Sequence, residues 1–487
     1  MDRKLVKNYA FNMAYQALVL LLPLVTTPYV SRCLGVENIG IYSFTSSIVS
    51  YFVLFSTFSF NTYGQKEIAF NQNDEERRSQ VFFEIQVRKA VLSVLALITY
   101  TVFIFIQTKY RVFYLIQFIT VFSVFWDISY FFQGMEKYEI TVVRNAVVKL
   151  LGVVCIFLFV RDNGDLGVYI FIQCASTLVG NLTLWPYLRK YVSARHFKKF
   201  SLFKDFRVIF ELFIPTLSVQ LYFTIDKTML GLMCDNTIEN GYYEQALKIM
   251  RLCQTLITSF GAVLISGVAR MMSRREDEKI RETVFDCISI GLFLAVPMTF
   301  GLIAVSGYFT PVFFGAGYDK VPQILSILSV IIILSALSNV AGNAVLIPTG
   351  RHNYLTIATG AAAVVNIILN SILIPRFMAS GAAAASVISE IVVLVIEYYF
   401  ARDYLCFKRI IVSLLKYMFA GLIMFVSLKC ISYILTDRLS DLHMTILLVV
   451  SGVAIYFVMM LIEKNPHLDK LFDYVQKKVK TNLGPSK

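Results

Sequence analysis

The sequence predicts an all-α polytopic membrane protein of about fourteen transmembrane helices. Three observations carry that expectation: the composition, the recurrence of apolar runs of bilayer length, and the sorting of Lys and Arg between alternate loops. Of 487 residues, 57% are hydrophobic and 16% charged, whereas a soluble globular domain carries about 45–50% apolar and roughly 25% charged residues. That excess excludes a soluble globular protein.

A helix that crosses a bilayer needs about 20 mostly apolar residues. Such runs stand at 11–31, 41–63, 90–107, 112–133, 142–160, 167–188, 209–233, 242–268, 284–308, 323–347, 354–374, 382–400, 411–434 and 443–462, fourteen in all. The first follows a basic start, exceeds a signal-peptide core and lacks a small-residue cleavage pattern, so it is expected to be retained as a span. With Arg144, at the edge of its span, counted in the adjoining loop, 32 Lys and Arg lie in loops on the N-terminal side, 7 in loops on the other side and six inside spans. By the positive-inside rule this bias places both termini in the cytoplasm.

The formal net charge of +13 is therefore mostly a cytoplasmic rim facing anionic membrane lipids, and nucleic acid is not expected as a partner. Two segments fit that rim as interfacial helices. Phe197, Phe200, Phe203 and Phe206 alternate with Lys198, Lys199, Lys204 and Arg207, and the tail from Pro466 to Leu483 stripes Leu468, Leu471, Phe472, Val475 and Val479 against lysines.

Eight cysteines form no CxxC pair, and four histidines show no ligand spacing, so neither a metal nor another cofactor is expected. The loops leave no room for an extramembrane catalytic domain, and neither paired acid/base carboxylates nor a Gly-rich phosphate cradle is present. Catalysis is not expected and no residue is assigned to it.

An internal repeat organises the chain. Ser31-Arg32-Cys33-Leu34-Gly35 followed by Gly40-Ile41-Tyr42 is echoed by Lys227-Thr228-Met229-Leu230-Gly231 followed by Gly241-Tyr242-Tyr243, about 200 residues later. Gln133-Gly134 with Tyr138 is echoed by Thr349-Gly350 with Tyr354. Six spans separate the copies, an even number, so the halves have the same orientation and form parallel repeats. The expected organisation is a first lobe over 1–200, a second over 201–405, two additional spans over 406–463 and a cytoplasmic amphipathic tail over 464–487. Two six-helix lobes facing one another make a cavity of alternating access, the architecture of a transporter.

Charges inside the spans mark the candidate site, because an ionisable group at membrane depth is costly. Lys416 and Lys429 lie near opposite span ends and are expected to snorkel. Lys227 and Lys248 each lie six residues from the outer ends of consecutive spans, about 9 Å deep at roughly 1.5 Å per residue. Arg251 follows Lys248 on the same face, Arg32 adds a cation near the outer end of span one, and Arg144 and Lys149 supply two in span five. This set is expected to line a cavity for an anionic substrate. Asp127, Asp226 and Glu390 are the candidate ion-coupling acids, Glu390 being deepest, while Lys227 stands to neutralise the adjacent Asp226.

These residues are set in a pattern that resembles a known family, the polysaccharide-transporter branch of the multidrug/oligosaccharidyl-lipid/polysaccharide exporters, the flippases of O-antigen and capsule repeat units. The matching stretches are Pro28-Tyr29-Val30-Ser31-Arg32-Cys33-Leu34-Gly35 with Gly40, Trp126-Asp127 with Phe131-Phe132-Gln133-Gly134-Met135-Glu136, and Asp226-Lys227 with Leu230-Gly231 and Gly241-Tyr242-Tyr243. Asn366, Asn370 and Pro375, leading into Gly381-Ala382-Ala383 and Glu390, complete them. The resemblance implies undecaprenyl-diphosphate-linked oligosaccharide as cargo, moved across a bacterial plasma membrane, with proton or sodium antiport as the drive and glycan polymerase machinery as a partner. The alternatives are a drug or cation antiporter of the same superfamily and a membrane enzyme of the glycan pathway, such as a polymerase or ligase. The extra pair of spans and the excess of buried cations favour the lipid-linked sugar over the first, and the internal repeat and short loops disfavour the second.

Overall fold

A computed structural model describes residues 3–196, 205–273, 276–436 and 438–463. Of the expected interfacial segment from Phe197 to Arg207, residues 197–204 lie outside the described residues, as does the tail beyond 463, while Phe206 and Arg207 begin the helix Phe206–Met233. Helices account for nearly all of the rest, and no strand occurs among the described residues. In chain order they are α1 (Arg3–Thr57), α2 (Phe60–Phe70), α3 (Glu75–Ile106), α4 (Arg111–Trp126), α5 (Ser129–Gly134), α6 (Tyr138–Phe159), α7 (Leu166–Leu182), α8 (Trp185–Leu188) and α9 (Phe206–Met233). They continue with α10 (Ile238–Ser273), α11 (Asp277–Phe314), α12 (Val321–Leu328), α13 (Val330–Asn339), a π-turn over Val340–Leu346, α14 (Asn353–Ala401), α15 (Phe407–Leu435) and α16 (Asp441–Ile462).

Among the described residues, eleven helical stretches are long and apolar enough to cross a membrane, against the fourteen spans expected. Asn353–Tyr404, with 52 residues, contains two expected spans, and Leu21–Phe70, with 50, contains the second expected span and the later part of the first, whereas about 20 residues suffice for one crossing. Each of these long stretches is broken by a residue with positive φ. Gly35 (φ 73°, ψ 171°) interrupts α1 between the first two expected spans, and Met378 (φ 52°, ψ −131°) interrupts α14 between the eleventh and twelfth. Glycine takes such a conformation without steric cost; for methionine the strain is on the order of 1–3 kcal/mol. The eighth expected span lies within α10.

The chain divides into two compact units. The first comprises Met1–Glu244, Phe314–Gly317 and Ala363–Ala382; the second comprises Gln245–Phe313, Tyr318–Ala362 and Ala383–Lys487. In the first, α3 begins well before its apolar run because Asp74 caps it, its side chain accepting from the Arg77 amide at 2.9 Å, with Glu75 and Glu76 in the first turn. The early turns of α3 pack into an aromatic core with α2, α5 and α8, built around Phe60, Phe82, Tyr130, Phe131 and Phe132.

Also in this unit, the end of the α1 kink region and the start of α10 touch backbone to backbone. A Cβ on Gly40 would fall 1.7 Å from the Thr237 carbonyl oxygen, and one on Gly241 would fall 2.1 Å from that of Val36. The two glycines that open the repeated motif are thus both required for the contact.

In the second unit small residues set the spacing. Ala382 is assigned to the first unit, but Ala383 and Ala385 are fully buried here, and a Cβ on Gly421 of α15 would meet Val296 and Phe300 of α11 at 2.6 Å. Gly342 lies inside the π-turn that follows α13.

Candidate functional site

Asp226 and Lys227 follow one another on α9, in the first unit, and turn to different partners. Asp226 is 5% exposed; one carboxylate oxygen accepts from the Tyr243 hydroxyl at 2.5 Å and the other from the Asn370 amide at 2.7 Å. Asn370 also donates to the Asn366 side-chain oxygen at 2.9 Å, and both asparagines are fully buried. Lys227 does not neutralise Asp226. Its ammonium lies 2.5 Å from Glu244, which also accepts from the Ser43 hydroxyl at 3.0 Å, and the Lys227 carbonyl accepts from Asn240 at 2.6 Å.

The cause is helix geometry: successive side chains on α9 diverge by about 100°, so one faces the Asn366/Asn370 pair of α14 and the other faces α10. Sequence reasoning assigned no role to Tyr243, Glu244, Asn366 or Asn370. The signal for the asparagines was their i, i+4 spacing, one polar stripe on an otherwise apolar helix.

Asp127 belongs to a separate cluster in the same unit, where the chain breaks between α4 and α5. Its carboxylate accepts from Asn61 at 3.0 Å and from the Ser129 amide at 2.9 Å. Lys89, fully buried, donates to the Asp127 carbonyl at 2.6 Å and to Asn61 at 3.3 Å, with its ammonium 5.7 Å from the Tyr130 ring centroid. Lys89 was not among the expected site residues.

The remaining expected cations stand on α1, α6 and α10. Arg32 is exposed and its stem runs against Gly315; Arg144 is half-buried with its guanidinium against Gly180; Lys149 is exposed. These three lie in the first unit with Lys227, whereas Lys248 and Arg251, both half-buried on α10, lie in the second. Glu390, also in the second unit, is 7% exposed and accepts from the Ser338 hydroxyl at 3.3 Å.

The second unit holds an apolar cavity of about 480 Å³. Its walls come from α11 through Phe293 and Pro297, from α15 through Met424 and Leu428, and from α16 through Leu448 and Tyr456. The two last helices therefore help to wall an apolar volume and do not merely flank the fold.

The profile of the family described as polysaccharide biosynthesis protein matches residues 5–272, more than half of the sequence. The chain belongs to that family. A second profile, that of the lipid II flippase MurJ, matches residues 150–453. Among its relatives, the putative O-antigen transporter of Escherichia coli (strain K12) is 26% identical over 412 residues, covering 80% of this chain and 96% of the relative. A probable low-salt glycan biosynthesis flippase of Haloferax volcanii is 23% identical over 210 residues, 42% of this chain and 44% of its own length. Among solved structures, the lipid II flippase MurJ in an inward closed conformation superposes with a TM-score of 0.73 at 17% identity, covering 95% of this chain and all of that one. An inward-facing multidrug resistance transporter of the MATE family gives 0.62 at 16% identity, over 81% and 94% of the two chains. These structural likenesses establish the fold.

Proposed function

We propose that this protein is a flippase that carries lipid-linked oligosaccharide, specifically an undecaprenyl-diphosphate-linked repeat unit, between the leaflets of a bacterial plasma membrane by alternating access. The observation that carries the reading is the pairing, in one chain, of cations set into apolar helices with an apolar cavity walled by α11, α15 and α16. A cargo with an anionic diphosphate and a long hydrocarbon is what those two features fit, and the relatives named as O-antigen transporter and glycan flippase support it. Arg32, Arg144, Lys149, Lys227, Lys248 and Arg251 would hold the diphosphate, since Arg and Lys make strong charge-assisted bonds to phosphate oxygens. Asp127, Asp226 and Glu390 would carry the coupling proton or sodium. Lobes over 1–200 and 201–405, fourteen crossings, a rim of anionic lipid and an association with glycan polymerase machinery complete the proposal. The MATE likeness fits a drug antiporter in fold alone, and the cations in the spans favour an anionic cargo over a cationic drug.

Two measurements test it. Removal of the protein should make a lipid-linked oligosaccharide accumulate on the inner leaflet; surface glycan and lipid-linked pools both unchanged would sink the flippase reading. Both termini are proposed to be cytoplasmic, on the basis of the loop charge bias. Cysteines introduced at Asn236 and Asn353, in a background without the native thiols, should then label from opposite sides, and labelling of both from outside would refute the topology.

A further inference from the structure

Glu397 lies on the last turns of α14 in the second unit and is 5% exposed. Its Oε2 has no hydrogen-bond partner, and no cation pairs with it among the described residues. Facing it is the π-turn Val340–Leu346, where a Cβ on Gly342 would fall 2.9 Å from Glu397 Oε1 and 2.8 Å from Leu355. The absence of a side chain at 342 is what leaves room for the carboxyl. Such π-turns inside helices are frequent at functional sites. Glu390, two turns earlier on the same face of α14, is the titratable group that acts on Glu397, and it is bonded by Ser338 of α13. From the π-turn and the start of α14 the groups that approach are the uncharged Gly342 and Leu355. Arg351, also at that end, is taken up by the Phe400 carbonyl at 2.8 Å and by Asp403 at 3.0 Å.

A carboxylate withdrawn from water with neither counter-ion nor donor costs far more free energy than the neutral acid, and a second carboxylate on the same helix face raises that cost. We propose that Glu397 is a proton-binding site: its oxygen takes a proton from water when the site closes and returns it to water when the site opens, with no other bond made or broken. The use of that proton to couple transport rests on the flippase reading above; proton binding does not.

The test uses the full chain in lipid vesicles. Infrared difference spectra between neutral and alkaline buffer should show the carbonyl stretch of a protonated carboxyl, lost in Glu397→Gln and shifted in Gly342→Ala, which keeps the acid but crowds it. With undecaprenyl-diphosphate-linked oligosaccharide in the same vesicles, an imposed proton gradient should change the wild-type flipping rate, and that response should be lost in Glu397→Gln. A carbonyl band that survives in Glu397→Gln overturns the proposal whether or not the vesicles flip. A band lost in the variant, with no flipping by wild type, supports the site and removes the flippase reading instead. Should Glu397→Gln fail to reach the membrane, the Gly342→Ala spectrum decides, and an unshifted band there overturns the proposal.

Discussion

Alanine in place of Lys227 is expected to abolish surface glycan and to reduce the protein in the membrane, and the two losses should separate when its partner is changed as well. The ammonium lies 2.5 Å from Glu244, with the two side chains 17% and 13% exposed. Removing one member of a buried ion pair costs about 3–5 kcal/mol, because the other is left uncompensated, and the residual exposure here places the loss toward the lower end. Lys227→Ala combined with Glu244→Gln removes both charges, so the amount of protein should recover. Glycan export should not recover, because a cation proposed to hold the diphosphate is still missing. If the double variant restores both quantities, Lys227 is a structural cation and leaves the substrate site; quantitative blotting beside surface-glycan staining distinguishes the outcomes.

The largest loss of stability is expected from Lys89→Met. Lys89 is fully buried, and its ammonium serves the Asp127 carbonyl and the Asn61 side chain beside the Asp127 carboxylate. Methionine fills most of the volume but leaves two acceptors without a donor and the carboxylate without its cation, for which about 3–5 kcal/mol is the expected penalty. Adding Asp127→Asn removes the stranded charge but not the stranded carbonyl, so the coupling energy recovered should fall within about 0.5–3 kcal/mol. Thermal unfolding in detergent, read by the loss of monodisperse protein, measures both. A Lys89→Met protein as stable as wild type would mean that the cluster contributes nothing to the fold.

The helices were legible in the sequence because hydropathy reports what a bilayer requires. The runs at 142–160 and 443–462 differ from α6 and α16 by only a few residues at their ends. Lys89 was missed for the same reason. It stands one residue before the run that begins at 90 and so counted as loop, whereas the Asp74 cap starts α3 fifteen residues earlier and carries Arg78, Glu84, Arg88 and Lys89 into the protein interior. Hydropathy registers burial in lipid and is blind to burial of charge against other helices. Asp226 was found from its place in an apolar run, but its partners were not, because Asn370 comes from 144 residues away in the chain. The gap between the runs at 354–374 and 382–400 announced a break in α14, yet the residue that bears the positive φ is Met378, a choice set by tertiary packing that no local propensity signals.

The contact between Gly40 and Gly241 is reciprocal. Shifted by the 201 residues that separate Ser43 from its partner Glu244, Gly40 becomes Gly241 and Val36 becomes Thr237. Gly40 meets Thr237, and Gly241 meets Val36. Each segment therefore gives the other what it receives, while Ser43 bonds the residue at its own place under the same shift. That reciprocity defines the isologous interface of a twofold homodimer. Within a single chain this seam has the form of a contact between two like partners, and a side chain at 40 or at 241 would strike the carbonyl opposite it in the same way.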